Sequence, residues 1–160
     1  MKKLLQSFTG ILCALLLCGC PYESSVPIDT PKIPVEESLL GQWVTDAESY
    51  NEYFITKAGN TQYRIRQKSI TGNTAYFTAH LSEVKGTSFL NVYSDSLRVY
   101  YLYRIKLSAK EGKCSLMPVS AAISEQFASS LDLRKYVEKN MNLLSFYNGS
   151  EQEEFVKLQQ

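Results

Sequence analysis

The chain is 160 residues long, carries a formal charge of +1, and is 44% hydrophobic, with 11 tyrosines and a single histidine. That length suits one domain large enough to bury a core of its own. Near-neutrality excludes the basic excess by which a nucleic-acid partner is held.

The first segment, residues 1–19, is a processing signal. Lys2 and Lys3 supply a positive start, the run from Ile11 to Cys18 is apolar throughout, and Gly19 ends it with a small residue. Gln6, Ser7 and Thr9 shorten the apolar stretch below the roughly 20 residues that a spanning helix requires, so the segment is expected to be removed. Two of the 17 basic residues leave with it, and the rest of the chain then holds 15 basic against 16 acidic residues, a formal charge of −1.

Leu17-Cys18-Gly19-Cys20 resembles the lipobox of bacterial lipoproteins, a branched apolar residue and a small residue before an obligatory Cys. The resemblance implies that the Cys20 thiol takes a diacylglyceryl group, that cleavage falls just before it, and that the new amine is acylated too. An acyl chain of roughly 14 methylenes contributes on the order of ten kcal/mol when fully buried, and two or more chains anchor stably. Membrane attachment through Cys20 implies a cell-envelope position. With no Ser, Asp or Glu run directly after Cys20, the expected site is the outer membrane, facing the periplasm. A disulfide or metal pair is the competing reading of the thiols, but structural zinc takes four ligands. No cofactor or metal is expected beyond the lipid on Cys20.

Residues 20–37 hold four of the five prolines. Closely spaced prolines favour extended backbone at about 3.1 Å per residue, so the segment reads as a semi-rigid tether of up to roughly 50 Å. Beyond Cys20 the only thiol is Cys114, expected as a small buried hydrophobe. The domain thus lacks an internal disulfide and must be held by its core.

The folded part, residues 38–160, opens with period-two alternation broken by turn residues. Strands are expected over 39–45, 52–58, 61–68, 74–82, 87–93 and 98–108, with a further short one over 114–119. The breaks AGNT, ITGN and VKG carry the Gly and Asn of tight turns, so consecutive strands form antiparallel hairpins. The period then changes: SSLDLRKYVEKNM places Leu133, Tyr136, Val137, Asn140 and Met141 on one helical face, with Ser129 and Asp132 as a capping-box start. Asn148-Gly149 marks a turn, and EEFVKLQ reads as a closing strand able to pair with the first. Seven or eight antiparallel strands leave exposed edges unless the sheet closes. The fold expected is mainly β, a small barrel with one helix late in the chain.

Leu40-Gly41-Gln42-Trp43 resembles the Gly-x-Trp start of lipocalin-like (calycin) barrels, in which the Trp plugs one end and an Arg from late in the chain lies against it. No Arg follows Arg134 here. Residues 38–158 are also similar to small uncharacterised bacterial lipoproteins with the same order of pieces, LLGQW, then AHLSEVKGTSFLNVYS, then LRKYVEKN. That resemblance implies fold and location, and it carries no activity.

Three functions remain open on these residues. The first is a non-catalytic binding or scaffold module that meets an envelope protein. The second is a carrier of a small hydrophobic ligand inside the barrel, with Trp43, Tyr101 and Tyr103 as candidate contacts. Val99, Tyr101, Tyr103, Ile105 and Leu107 share one strand face, and such an aromatic row either lines a pocket or is plain core. The third is a small hydrolase using His80, with Ser82 and Glu83 as in-strand neighbours; geometry rather than presence defines such a site, and a hydrogen-bonded structural histidine is the simpler reading. Arg64, Arg66 and Lys68 project from one strand face as a solvated stripe, with Glu151, Glu153 and Glu154 as possible cross-sheet neighbours.

Overall fold

The structure, a computed structural model, describes residues 21–45 and 51–158. Residues 1–20 lie outside the described residues, and with them the expected signal, its cleavage and the expected lipid attachment at Cys20. Among the described residues no helix is long and apolar enough to cross a membrane.

Among the described residues nine strands form: β1 Glu23–Ser24, β2 Gly41–Thr45, β3 Glu52–Lys57, β4 Tyr63–Lys68, β5 Thr74–Val84, β6 Thr87–Ser94, β7 Val99–Ser108, β8 Lys113–Pro118 and β9 Glu153–Lys157. An α-helix, α1, spans Ser130–Asn140. Each strand from β2 to β8 pairs antiparallel with the next along the chain, except that β9 is inserted between β8 and β2. With β7 also paired to β8, eight strands close into a barrel. The closing strand therefore pairs with the first barrel strand as the alternating EEFVK pattern requires, Thr45 lying opposite Phe155.

Period-two alternation sorts the wall into two faces. Leu90 and Val92 of β6 lie opposite Tyr103 and Tyr101 of β7 and point inward. Phe89 and Leu102 point outward and are equally buried, because a second layer covers them. That layer is α1, contributing Leu133 and Val137, together with Tyr22 and Ile28 from the proline-rich segment. The helix starts as its sequence dictates: the Ser129 hydroxyl accepts the Asp132 N–H at 3.2 Å and donates to the Asp132 carboxylate at 2.7 Å.

The proline-rich segment corrects the sequence expectation. Residues 21–37 do not stand off from the barrel as a tether; they are a strap packed along its outer wall. Tyr22 N–H donates to the Val119 carbonyl at 2.9 Å, and the Tyr22 hydroxyl donates to the Glu125 carbonyl at 2.8 Å. Glu23 and Ser24 add to the edge of β7 at Tyr101 and Tyr100, beyond the point where β8 ends in Pro118. Ile28 N–H donates to the Asn91 side chain at 2.8 Å, and Val35 N–H to the Asn60 carbonyl at 2.9 Å. Only Glu23–Ser24 of the segment run as strand, paired with the open edge of β7, and bends at 25–26, 28–29, 31 and 33 turn the rest along the wall. Burying Tyr22 and Ile28 contributes about 1.5–3 kcal/mol for each large apolar side chain removed from water, which favours docking over a solvated spacer.

The strap runs from one barrel end to the other. It begins beside Tyr101, ends in a 3-10 turn at Glu37–Leu39, and feeds directly into β2. Leu39 is thereby laid across the barrel's end next to Trp43.

Candidate functional site

The inward side chains enclose a cavity of about 590 Å³. Its wall is contributed by strands on every side: Ile55 from β3, Tyr63 and Ile65 from β4, Phe77 from β5, Leu90 and Val92 from β6, Tyr103 and Ile105 from β7, Leu116 from β8 and Phe155 from β9.

One end is sealed by Trp43, the resemblance's plug. Its indole Nε1–H donates to the Leu39 carbonyl at 2.9 Å, so the ring is tied to the strap's last turn. The Tyr63 hydroxyl accepts the Glu36 N–H at 2.7 Å on the same side. Lys157, late in the chain, lies against the Trp43 ring. Its Nζ lies 5.6 Å from the Trp43 ring centroid and donates to the Ser38 carbonyl at 2.9 Å. Gly41 is required by the same arrangement: its φ is +121°, and a Cβ there would come within 3.1 Å of Lys157 Cε. The Gly and the Trp of the motif thus serve one feature, a tight start to β2 that leaves room for the cation beneath the plug.

The other end is the mouth, bordered by Pro21, Tyr53, Gln67, Tyr101, Glu151 and Glu153. Gln67 Nε2 donates to the Tyr53 hydroxyl at 3.3 Å, and the Tyr53 ring meets Phe155 edge-on with centroids 5.2 Å apart. Desolvation, and next the nearby Glu153 charge, push the Tyr53 phenol up to about 12. Burial also raises Tyr103 far above the ordinary phenol range. Glu153 is itself raised above the usual carboxylate value, first by desolvation and then by Glu151. Cys114, in the wall, is pushed up to about 12 by burial and secondarily by Glu154, as suits the small buried hydrophobe expected of it. The lining is therefore mostly apolar, with its polar and acidic groups, Gln67, Glu151 and Glu153, at the mouth.

Trp43, Tyr101 and Tyr103, the three candidates from sequence, all border this one cavity. His80 does not. It points outward from β5, where its Nε2 is hydrogen-bonded to the Asp29 carbonyl at 2.7 Å beneath the strap. Burial lowers its pKa, against smaller opposing effects of that bond and of the Asp29 charge. Ser82 is engaged by Asn91, whose Nδ2 donates to its hydroxyl at 2.9 Å. The His80 neighbourhood is thus a strap-anchoring polar cluster on the outer face of the wall, and neither His80 nor Ser82 lines the cavity. Arg64, Arg66 and Lys68 lie on the outer face of β4, where Arg66 stacks 4.1 Å from the centroid of Phe54. Their strand is flanked by β3 and β5, so Glu151, Glu153 and Glu154 are not their neighbours.

Sequence reasoning missed Tyr53, Tyr63 and Gln67. A signal for the latter two was present: if Arg64, Arg66 and Lys68 face water, the alternate residues Tyr63, Ile65 and Gln67 must face inward. Among the described residues no three His, Cys, Asp or Glu side chains stand together as a metal set. Comparison with family models, with curated proteins and with solved structures found no match.

Proposed function

We propose that this chain is a cell-envelope lipoprotein, anchored through an acylated Cys20, whose barrel binds a small and mostly apolar ligand. The cavity carries this reading. Its volume of about 590 Å³ falls among small-molecule sites, which occupy roughly 300–1,000 Å³ and combine an apolar lining with a few placed polar groups. A scaffold domain needs no such space, since packed cores hold few voids larger than a water molecule. Sealing of the Trp43 end and polarity at the other supply a direction: apolar ligand body inward, polar group at Gln67, Tyr53 and Tyr101.

Trp43 is the only tryptophan and forms the cavity floor, so energy transfer from it to a dansyl-labelled fatty acid tests the reading. Saturable sensitised emission, abolished by Val92→Phe inside the wall, is the expected result. Emission that never saturates, or that Val92→Phe leaves unchanged, overturns it.

A further inference from the structure

The chain enters the described body at the cavity's mouth. Pro21 borders that mouth and is bridged to Ser120. Tyr22, the next residue, is fixed by its two hydrogen bonds to Val119 and Glu125. The residue bonded to Pro21 is Cys20, and a trans peptide joins consecutive Cα atoms at about 3.8 Å. No spacer separates the lipid attachment point from the mouth.

A second observation is independent of the anchor. The β4–β5 and β6–β7 turns and the long connection from β8 to β9 lie at the mouth end, and they expose Ile70 at 73%, Leu97 at 61% and Leu144 at 93%. Leu144 belongs to the part of that connection held at the mouth, where the Phe146 carbonyl accepts the Ser120 N–H at 3.0 Å. The turns at the Trp43 end, residues 58–62, 85–86 and 109–112, expose no large apolar side chain; Leu158 just past β9, Tyr76 on the β5 wall and Leu131 on α1 are exposed singly away from the mouth turns. Charges at the mouth end are of both signs, among them Lys68, Arg98, Asp95 and Glu151, so apolar tips rather than a single-sign field distinguish it.

The geometry points to the bilayer as the partner of this end: the mouth rim sits on the membrane surface with Ile70, Leu97 and Leu144 in the interface, and the cavity exchanges its ligand with the acyl phase. This rests on the lipoprotein reading above and deepens it, because it makes the ligand a membrane-derived, chain-bearing lipid. Apolar side chains and covalent acyl groups on one face are the combination that binds stably at an interface.

The test uses the full, acylated protein purified from membranes and reconstituted into phosphatidylcholine–phosphatidylethanolamine vesicles. Single cysteines are placed at the mouth end by Thr74→Cys or Asp95→Cys and at the Trp43 end by Asn60→Cys or Lys110→Cys, and each is given a fluorescent label. A spin-labelled phosphatidylcholine is the quencher. Quenching several-fold stronger at 74 and 95 than at 60 and 110 is expected, and replacing Ile70, Leu97 and Leu144 together by Asn is expected to reduce that difference. Equal quenching at both ends, or stronger quenching at 60 and 110, overturns the orientation. So does a native mass with no acyl group at Cys20. Fatty-acid binding measured by Trp43 energy transfer separates the two ideas: if it persists while the quenching contrast is absent, the orientation fails and the cavity function stands; if it too is absent, both fail.

Discussion

The backbone N–H of Ile28 donates to the side-chain oxygen of Asn91 at 2.8 Å, joining the strap to the outer wall of β6. The same amide donates through Nδ2 to Ser82 and to the His80 carbonyl, so both ends of a fully buried side chain are occupied. Truncation by Asn91→Ala strands a buried N–H and a buried hydroxyl. A loss of about 2–3 kcal/mol is expected, since leaving a buried polar group unpaired costs roughly 1–3 kcal/mol. Urea unfolding measures it; an unchanged midpoint would show that the strap is not held there.

Lys157 beneath Trp43 makes a second testable contact. Lys157→Ala removes both the cation over the ring and the bond to the Ser38 carbonyl, a loss of about 1–2 kcal/mol accompanied by a shift in Trp43 emission. Lys157→Arg is expected to retain most of that stability. Gly41→Ala is expected to cost about 1–3 kcal/mol because its φ of +121° suits glycine alone. Wild-type behaviour in Gly41→Ala would remove the account of the motif.

Filling the cavity separates binding from folding. Val92→Phe adds volume where there is space for it, so thermal stability is expected to hold or rise by up to about 1 kcal/mol while fatty-acid uptake is lost. A marked fall in melting temperature would mean instead that the wall around Val92 is already tightly packed.

His80 couples folding to pH with a defined sign. Its pKa is lowered in the folded protein by burial, so below the ordinary histidine value of about 6.5 the unfolded chain binds more protons than the native one. Stability is therefore fully present above that value and declines as pH falls below it. His80→Gln, which keeps a donor for the Asp29 carbonyl, is expected to lose less stability between pH 7 and pH 5 than wild type does. The difference between the two proteins isolates His80 from Glu153, whose raised carboxyl acts in the opposite sense. Parallel pH profiles would refute it.

Cys114 is expected to resist alkylation. With its thiol pushed up to about 12, the thiolate fraction at pH 8 is about 10⁻⁴, roughly a thousandfold below that of an ordinary cysteine. Peptide mapping after iodoacetamide treatment should find Cys114 unmodified in native protein and modified after unfolding. Rapid native modification would contradict the burial of this wall position.

Alternation along the chain was sufficient to place the wall strands and their antiparallel order, because a closed sheet buries one face of every strand and writes that face into the sequence at period two. Tyr101 and Tyr103 were legible as one face for that reason, and Ser129 as a helix start because a cap is a local bond. The strap was not legible. Its prolines announce extended backbone whether or not something lies beside it, and what lies beside it is Asn91, 63 positions beyond Ile28. Likewise, no local pattern says that Lys157 reaches the Trp43 plug, or whether eight closed strands leave a void. Sequence alone determined the strand faces, the helix cap and the Gly-x-Trp start, all short-range consequences of backbone and side-chain chemistry. Tertiary structure decided that the tyrosines border a cavity, that His80 holds a strap, and that Pro21 opens at the mouth. Those outcomes depend on distances between residues far apart in the chain, which local propensity does not encode.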